Sequence, residues 1–201
     1  MKTSPVVCAV DIQTAGNKEN AIIYSIGAYA GNILTGESYG TFYERCAHKQ
    51  AGRGSCEEKL DAWEELRGKP CHREAFDPKL NRKPLPDVLH ALTRFINSHA
   101  GENNEENGVI HLLTSESASQ AGLLLHAMRQ ADIEPVWQSK YQDSLVSLDY
   151  VYRLLFNQRP GEDLSFDGYQ GVAKYEAKHL FKQAHVILRR LHERSELSAI
   201  L

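Results

Sequence analysis

The sequence predicts a mixed α/β fold on a single sheet, with three antiparallel strands opening the chain and helices on both faces. Three observations predict it. Val6-Val7-Cys8-Ala9-Val10 is a nearly continuous apolar run of the kind a strand buried on both faces carries, and it ends on Asp11. Two more strand-like runs follow before any helical period appears. The remainder alternates helical and strand patterns and closes on a long amphipathic helix.

Taken in order, a polar turn over residues 14–20 separates the first run from a second apolar run over 21–30. Gly31-Asn32 is a hairpin-type turn signal, and a third strand is expected over 39–45. Residues 49–83 are polar and charge-rich, with one short helix over 57–66 that sets Leu60, Trp63 and Leu66 on one side. Pro84-Leu85-Pro86-Asp87 then opens a helix whose Val88, Leu89, Leu92, Phe95 and Ile96 recur at helical spacing, with the prolines where a first turn tolerates them. After an Asn/Glu-rich loop over 101–108, a central strand is expected over 109–114. Helices are expected over 119–130 and 144–156. The last helix directs Ala173, Ala177, Leu180, Phe181, Ala184, Leu188 and Leu191 inward. No internal repeat is present. This element order is that of an RNase H-like fold.

Composition narrows the function classes. At 201 residues the chain is expected to form one domain, 1–201, and its 42% hydrophobic and 24% charged residues are ordinary globular values. A net charge of −3 gives no global cationic field, so any contact with nucleic acid must be local. Neither an apolar leader after a basic start nor a membrane-length apolar run is found, so a soluble, cytoplasmic protein without a membrane partner is expected. Cys8, Cys46, Cys56 and Cys71 lack the paired spacing of a zinc knuckle and read as reduced thiols.

The stretch Asp11-Ile12-Gln13-Thr14-Ala15-Gly16, followed by Ile22-Ile23-Tyr24-Ser25-Ile26-Gly27-Ala28, resembles the first motif of the DnaQ-like, DEDD-type 3′ to 5′ exonucleases: Asp-x-Glu-Thr, a loop, then a strand ending in Ile-Gly-Ala. The likeness is to the RNase T branch and its phage- and prophage-associated relatives. Further matches follow in order: Phe42-Tyr43 at the end of the third strand, Trp63 on the small helix, and a helix-then-Pro-x-Trp pattern over 124–137. Together they run from about residue 6 to 192.

The resemblance implies two Mg²⁺ or Mn²⁺ ions held by four carboxylates, because hard cations prefer anionic oxygen, and a histidine that accepts the proton of the attacking water. Carried over position by position, the first aspartate is Asp11, the glutamate falls on Gln13 and the second aspartate falls on Gln120. In the third motif, His-x-x-x-x-Asp, the best register sets Lys174 on the histidine and His179 on the aspartate; a slip would bring in Glu176. Asp11 is then the one retained ligand. No metal cofactor is expected in that case, and Mg²⁺ or Mn²⁺ is expected only if Asp11 works with Glu116, Glu176 or Asp143.

The sequence therefore points to a catalytically degenerate exonuclease-like domain that binds single-stranded DNA or RNA, or a protein partner, without hydrolysis. The alternatives are a divergent active exonuclease and an interaction scaffold, the RNase T likeness implying a homodimer. Thr14, Trp63, Lys174, Lys178 and Lys182 are the candidate nucleic-acid contacts, with Arg189 and Arg190 further along the same helix; aromatic side chains stack on unpaired bases. Each residue also has a plainer role open to it: Asp11 as a strand-end turn residue, Trp63 as core, and the lysines as a solvated helix face.

Overall fold

The computed structural model describes residues 6–101, 111–115, 120–137, 142–157 and 164–198. Five strands form one sheet in the order β3-β2-β1-β4-β5. β1 (Val6–Thr14), β2 (Ile23–Asn32) and β3 (Ser38–Arg45) are antiparallel, whereas β4 (His111–Thr114) and β5 (Gln142–Ser144) add parallel to β1 and β4 in turn. The mixed sheet and its antiparallel opening are as the sequence predicted. β1 is central, which is why its apolar run is continuous.

Parity along β1 then decides where its polar end points. Val6, Cys8, Val10 and Ile12 pack against α3 (Leu85–Ile96) and α4 (Gly122–Gln130) through Val88, Leu92, Leu124 and Met128. Val7 and Ala9 face the other way, onto Leu180, Phe181 and Ala184 of α6 (Ala173–Ser198). Asp11 and Gln13 continue this second set, since alternate strand residues share a face. A third cluster closes the end of the sheet, where Tyr24, Trp63 and Phe76 meet edge to face.

Several details depart from the sequence reading. Gly31 and Asn32 belong to β2, and the turn lies one step later: Asn32 Oδ1 accepts from the amides of Leu34 (3.1 Å) and Thr35 (2.9 Å), and Gly36 takes the positive φ of 76°. Residues 49–83 hold two helices, α1 (Glu57–Glu65) and α2 (Pro70–Phe76), the second opening on a proline at its first position. The helix after β4 begins at Gly122, preceded by a wider helical turn through Gln120. Ser144 ends β5 before α5 (Leu145–Phe156) starts. The four cysteines carry free thiols, and burial pushes those of Cys8 and Cys46 up to about 12.

Candidate active-site cleft

Asp11 lies opposite Gly27 in the β1–β2 register, and that pairing explains the glycine. A Cβ on Gly27 would stand 2.3 Å from the carbonyl carbon and oxygen of Ala173 and 2.4 Å from the Lys174 nitrogen. Only a residue without a side chain lets the first turn of α6 lie directly on β2 there. That close approach sets which α6 residues look onto Asp11.

The Asp11 carboxyl is buried, 6% exposed, and both of its oxygens are engaged by carboxamides. Gln13 Nε2 donates to Oδ2 at 2.7 Å, and Gln120 Nε2 donates to Oδ1 at 3.1 Å. Burial pushes the Asp11 pKa up to about 6; the two amide hydrogen bonds oppose that rise, and the nearby Glu176 carboxylate adds to it. Glu176 Oε1 in turn accepts from the Gly171 amide at 2.7 Å. Among the described residues, Gln120 Oε1 and Thr114 Oγ1 are buried with no hydrogen-bond partner.

This centre opens into a cleft of about 400 Å³ lined by Gln13, Thr14, Trp63, Ser115, Gln120 and Gly171, among others. Thr14 Oγ1 donates to the Gly16 carbonyl at 2.8 Å, and Trp63 Nε1 donates to the Thr14 carbonyl at 2.9 Å. Trp63 is thus both core, at 6% exposure, and cleft wall.

The structure brings together Asp11, Gln13, Thr14, Trp63 and Gln120. It does not bring Lys174 or His179 to them. Lys174 Nζ lies over the rings of Tyr43 (5.5 Å) and Tyr175 (4.5 Å), away from the carboxyl. The His179 ring packs on Phe166, with centroids 4.8 Å apart, and its Nδ1 is buried with no partner among the described residues. Lys178 and Lys182 share Asp167, at 3.2 and 2.5 Å, so they are not a bare cationic stripe. Arg189 pairs with Glu193 at 2.9 Å, and Arg190 donates to the Tyr152 hydroxyl. Glu116 and the Asp143 side chain lie outside the described residues.

Glu176, one helical turn before His179, is the carboxylate whose charge acts on Asp11. Counting five back, as in His-x-x-x-x-Asp, gives Gly171, which lines the cleft. A register with Glu176 at the aspartate lies three residues before the one that sets Lys174 and His179 on the motif, and it is the slip the sequence left open. The Gly27 to Ala173 contact fixes where the first turn of α6 meets the sheet.

Fold and cleft together define the class, the 3′ to 5′ exonuclease fold. The match is visible in the nuclease domain of 3′hExo, a DEDDh family member bound to rAMP: TM-score 0.59, 13% identity, 94% of each chain. It is also visible in S. pombe Pop2p in its Mg²⁺- and Mn²⁺-bound form, with TM-score 0.55, 14% identity, and coverage of 94% of this chain and 83% of that one. An E. coli ExoI–ssDNA complex aligns over 93% of this chain and 41% of its own, with TM-score 0.62 and 10% identity. More particularly, residues 7–188 match the 3′-5′ exoribonuclease Rv2179c-like domain, and the chain belongs to that family. No protein of curated function matches the sequence significantly.

The fold implies divalent cations, and among the described residues the donor set does not fit a pair of them. A two-ion site needs carboxylates enough to offset four positive charges, whereas Asp11 and Glu176 stand with two neutral carboxamides. Among the described residues no cluster of three or more His, Cys, Asp or Glu side chains is placed to hold a metal ion. Nor, among them, is any helix long and apolar enough to cross a membrane.

Proposed function

We propose that this chain is an exonuclease-fold domain that binds the end of a single-stranded nucleic acid, RNA in the first place, without two-metal hydrolysis. The observation that carries the reading is the double capping of Asp11 by Gln13 and Gln120. Those positions carry glutamate and aspartate in the motif pattern the chain resembles. Replacing two carboxylates by carboxamides removes repulsion toward a phosphodiester and supplies N–H donors. The family's description as exoribonucleases favours RNA over DNA.

In this reading Gly171 occupies the place of the proton-accepting histidine, so no base stands over an attacking water. Trp63 holds the Thr14 carbonyl and shapes the floor on which the terminal nucleotide lies. A gel-shift with short single-stranded RNA in EDTA tests it: retardation at low salt is expected, and its absence defeats the nucleic-acid reading in favour of a protein partner. A second reading has one observation behind it, the charge of Glu176 acting on Asp11. On that reading the chain is a divergent Mn²⁺-dependent exonuclease, and 5′-labelled RNA would ladder from its 3′ end until Asp11→Ala abolished the ladder.

A further inference from the structure

Beside the cleft, a second cavity of about 510 Å³ lies between the edge strand β3 and the start of α6, lined by Tyr43, Asp167, Gly168, Lys174, Tyr175 and Lys178. Its walls are aromatic and its charge is cationic. Lys174 Nζ sits over the two tyrosine rings and, among the described residues, no carboxylate pairs with it. Lys178 and Lys182 divide one carboxylate, Asp167, between them. Of the charged groups that line the cavity, two are lysines, Lys174 and Lys178, and one is a carboxylate, Asp167.

The cavity is held in shape from below. Gly168 has φ of 115°, and a Cβ there would meet the Tyr175 ring at 2.3 Å, so the loop backbone lies flat on that ring. Tyr169 meets the same ring edge to face, with centroids 5.9 Å apart. The Tyr43 hydroxyl donates to Glu74 at 2.8 Å, which fixes the opposite wall. The loop that builds this cavity through Asp167 and Gly168 reaches the cleft three residues later at Gly171. One short segment therefore borders both spaces.

Resting on the nucleic-acid reading of the cleft, we propose that this cavity seats an internal phosphodiester of the same strand, a few nucleotides from the end held in the cleft, with Lys174 as its contact and the tyrosines holding that lysine in place. A lysine poised over aromatic rings without an acid partner gives up no ion pair when a phosphate arrives. A phosphate contact carries no sequence information, so the strand would be gripped by length and charge.

The test is fluorescence anisotropy in EDTA with a labelled trinucleotide and octanucleotide of single-stranded RNA, on wild type and Lys174→Met. Methionine keeps the unbranched packing over the rings and removes the charge, and a thermal melt confirms that the variant is folded. The octanucleotide is expected to bind more tightly than the trinucleotide, and Lys174→Met to weaken it about threefold to tenfold while leaving the trinucleotide unchanged. The log–log salt slope is expected to fall by about 0.7, one phosphate contact on a single strand. Equal affinity of both lengths, or an octanucleotide affinity and slope unmoved by Lys174→Met and Lys174→Glu, overturns this second seat and leaves the cleft reading standing. If wild type binds neither length, both readings fall together.

Discussion

Restoring the two missing carboxylates, Gln13→Glu with Gln120→Asp, asks whether charge alone separates this cleft from a metal site. The amides contact opposite oxygens of Asp11 at 2.7 and 3.1 Å, so the new carboxylates would crowd one buried acid from both sides. At a separation of about 4 Å and an effective dielectric of about 20, each like-charged pair opposes folding by about 4 kcal/mol. Two such pairs approach the whole stability of a domain, about 5–15 kcal/mol. The metal-free variant therefore keeps protons on the site, which is easy where the Asp11 pKa already stands at about 6. Mn²⁺ should displace those protons. At a Mn²⁺ concentration 100-fold above its Kd, linkage contributes about 2.7 kcal/mol, or a rise of about 5–10 °C in Tm for a chain of this length. Differential scanning fluorimetry against MnCl₂ at pH 6 and 8 measures it. The double variant should be less stable without metal and rescued by Mn²⁺, more strongly at pH 8, while wild type does not respond. A double variant blind to Mn²⁺ would refute the view that lost charge is what distinguishes the site.

Three further outcomes follow from the same geometry. The folded pKa of Asp11 is raised from an ordinary 3.8 to about 6, so its favourable contribution is full below pH 4 and lost as pH rises through 6. Relative to Asp11→Asn, wild type should lose about 3 kcal/mol between pH 4 and 7.5 in urea titrations, and parallel pH profiles would contradict this. Gly27→Ala drives a methyl group into the α6 backbone and should destabilise by about 3 kcal/mol or more, read as a fall in the urea midpoint; a change below about 1 kcal/mol would mean that α6 is not seated there. Trp63→Phe keeps an aromatic ring in the core but frees the Thr14 carbonyl, and should cost about 1–3 kcal/mol together with a weaker hold on short RNA. Unchanged RNA affinity in a folded Trp63→Phe protein would remove this indole from the binding account.

The parts of the molecule legible in the sequence were those where local pattern and burial agree. β1 showed as an unbroken apolar run because it is covered on both faces. Asp11 stood out as the first charge after it, and α3 and α6 announced themselves by helical periodicity. α2 and β5 escaped because seven and three residues are too short to show a period. The hairpin turn was displaced because the Asn32 side chain builds the turn from the strand's last residue. At the site, Asp11 stood at the end of an apolar run, whereas Gln13 and Gln120 were marked only by the motif resemblance and Glu176 only as one register of it. Which residues of α6 look onto Asp11 depends on a contact between Gly27 and Ala173 that joins segments far apart in the chain. Trp63 shows why the plainer reading deserves equal weight: it belongs to the core and to the cleft at once.

Isothermal titration of MnCl₂ into the wild-type protein at pH 7.5 tests the central assignment most directly. The account predicts no saturable heat in the micromolar range, because a capped Asp11 and a single neighbouring Glu176 do not replace the water shells of two divalent ions. Stoichiometric uptake of two ions, abolished by Asp11→Ala, would contradict it and make the cleft that of a working exonuclease.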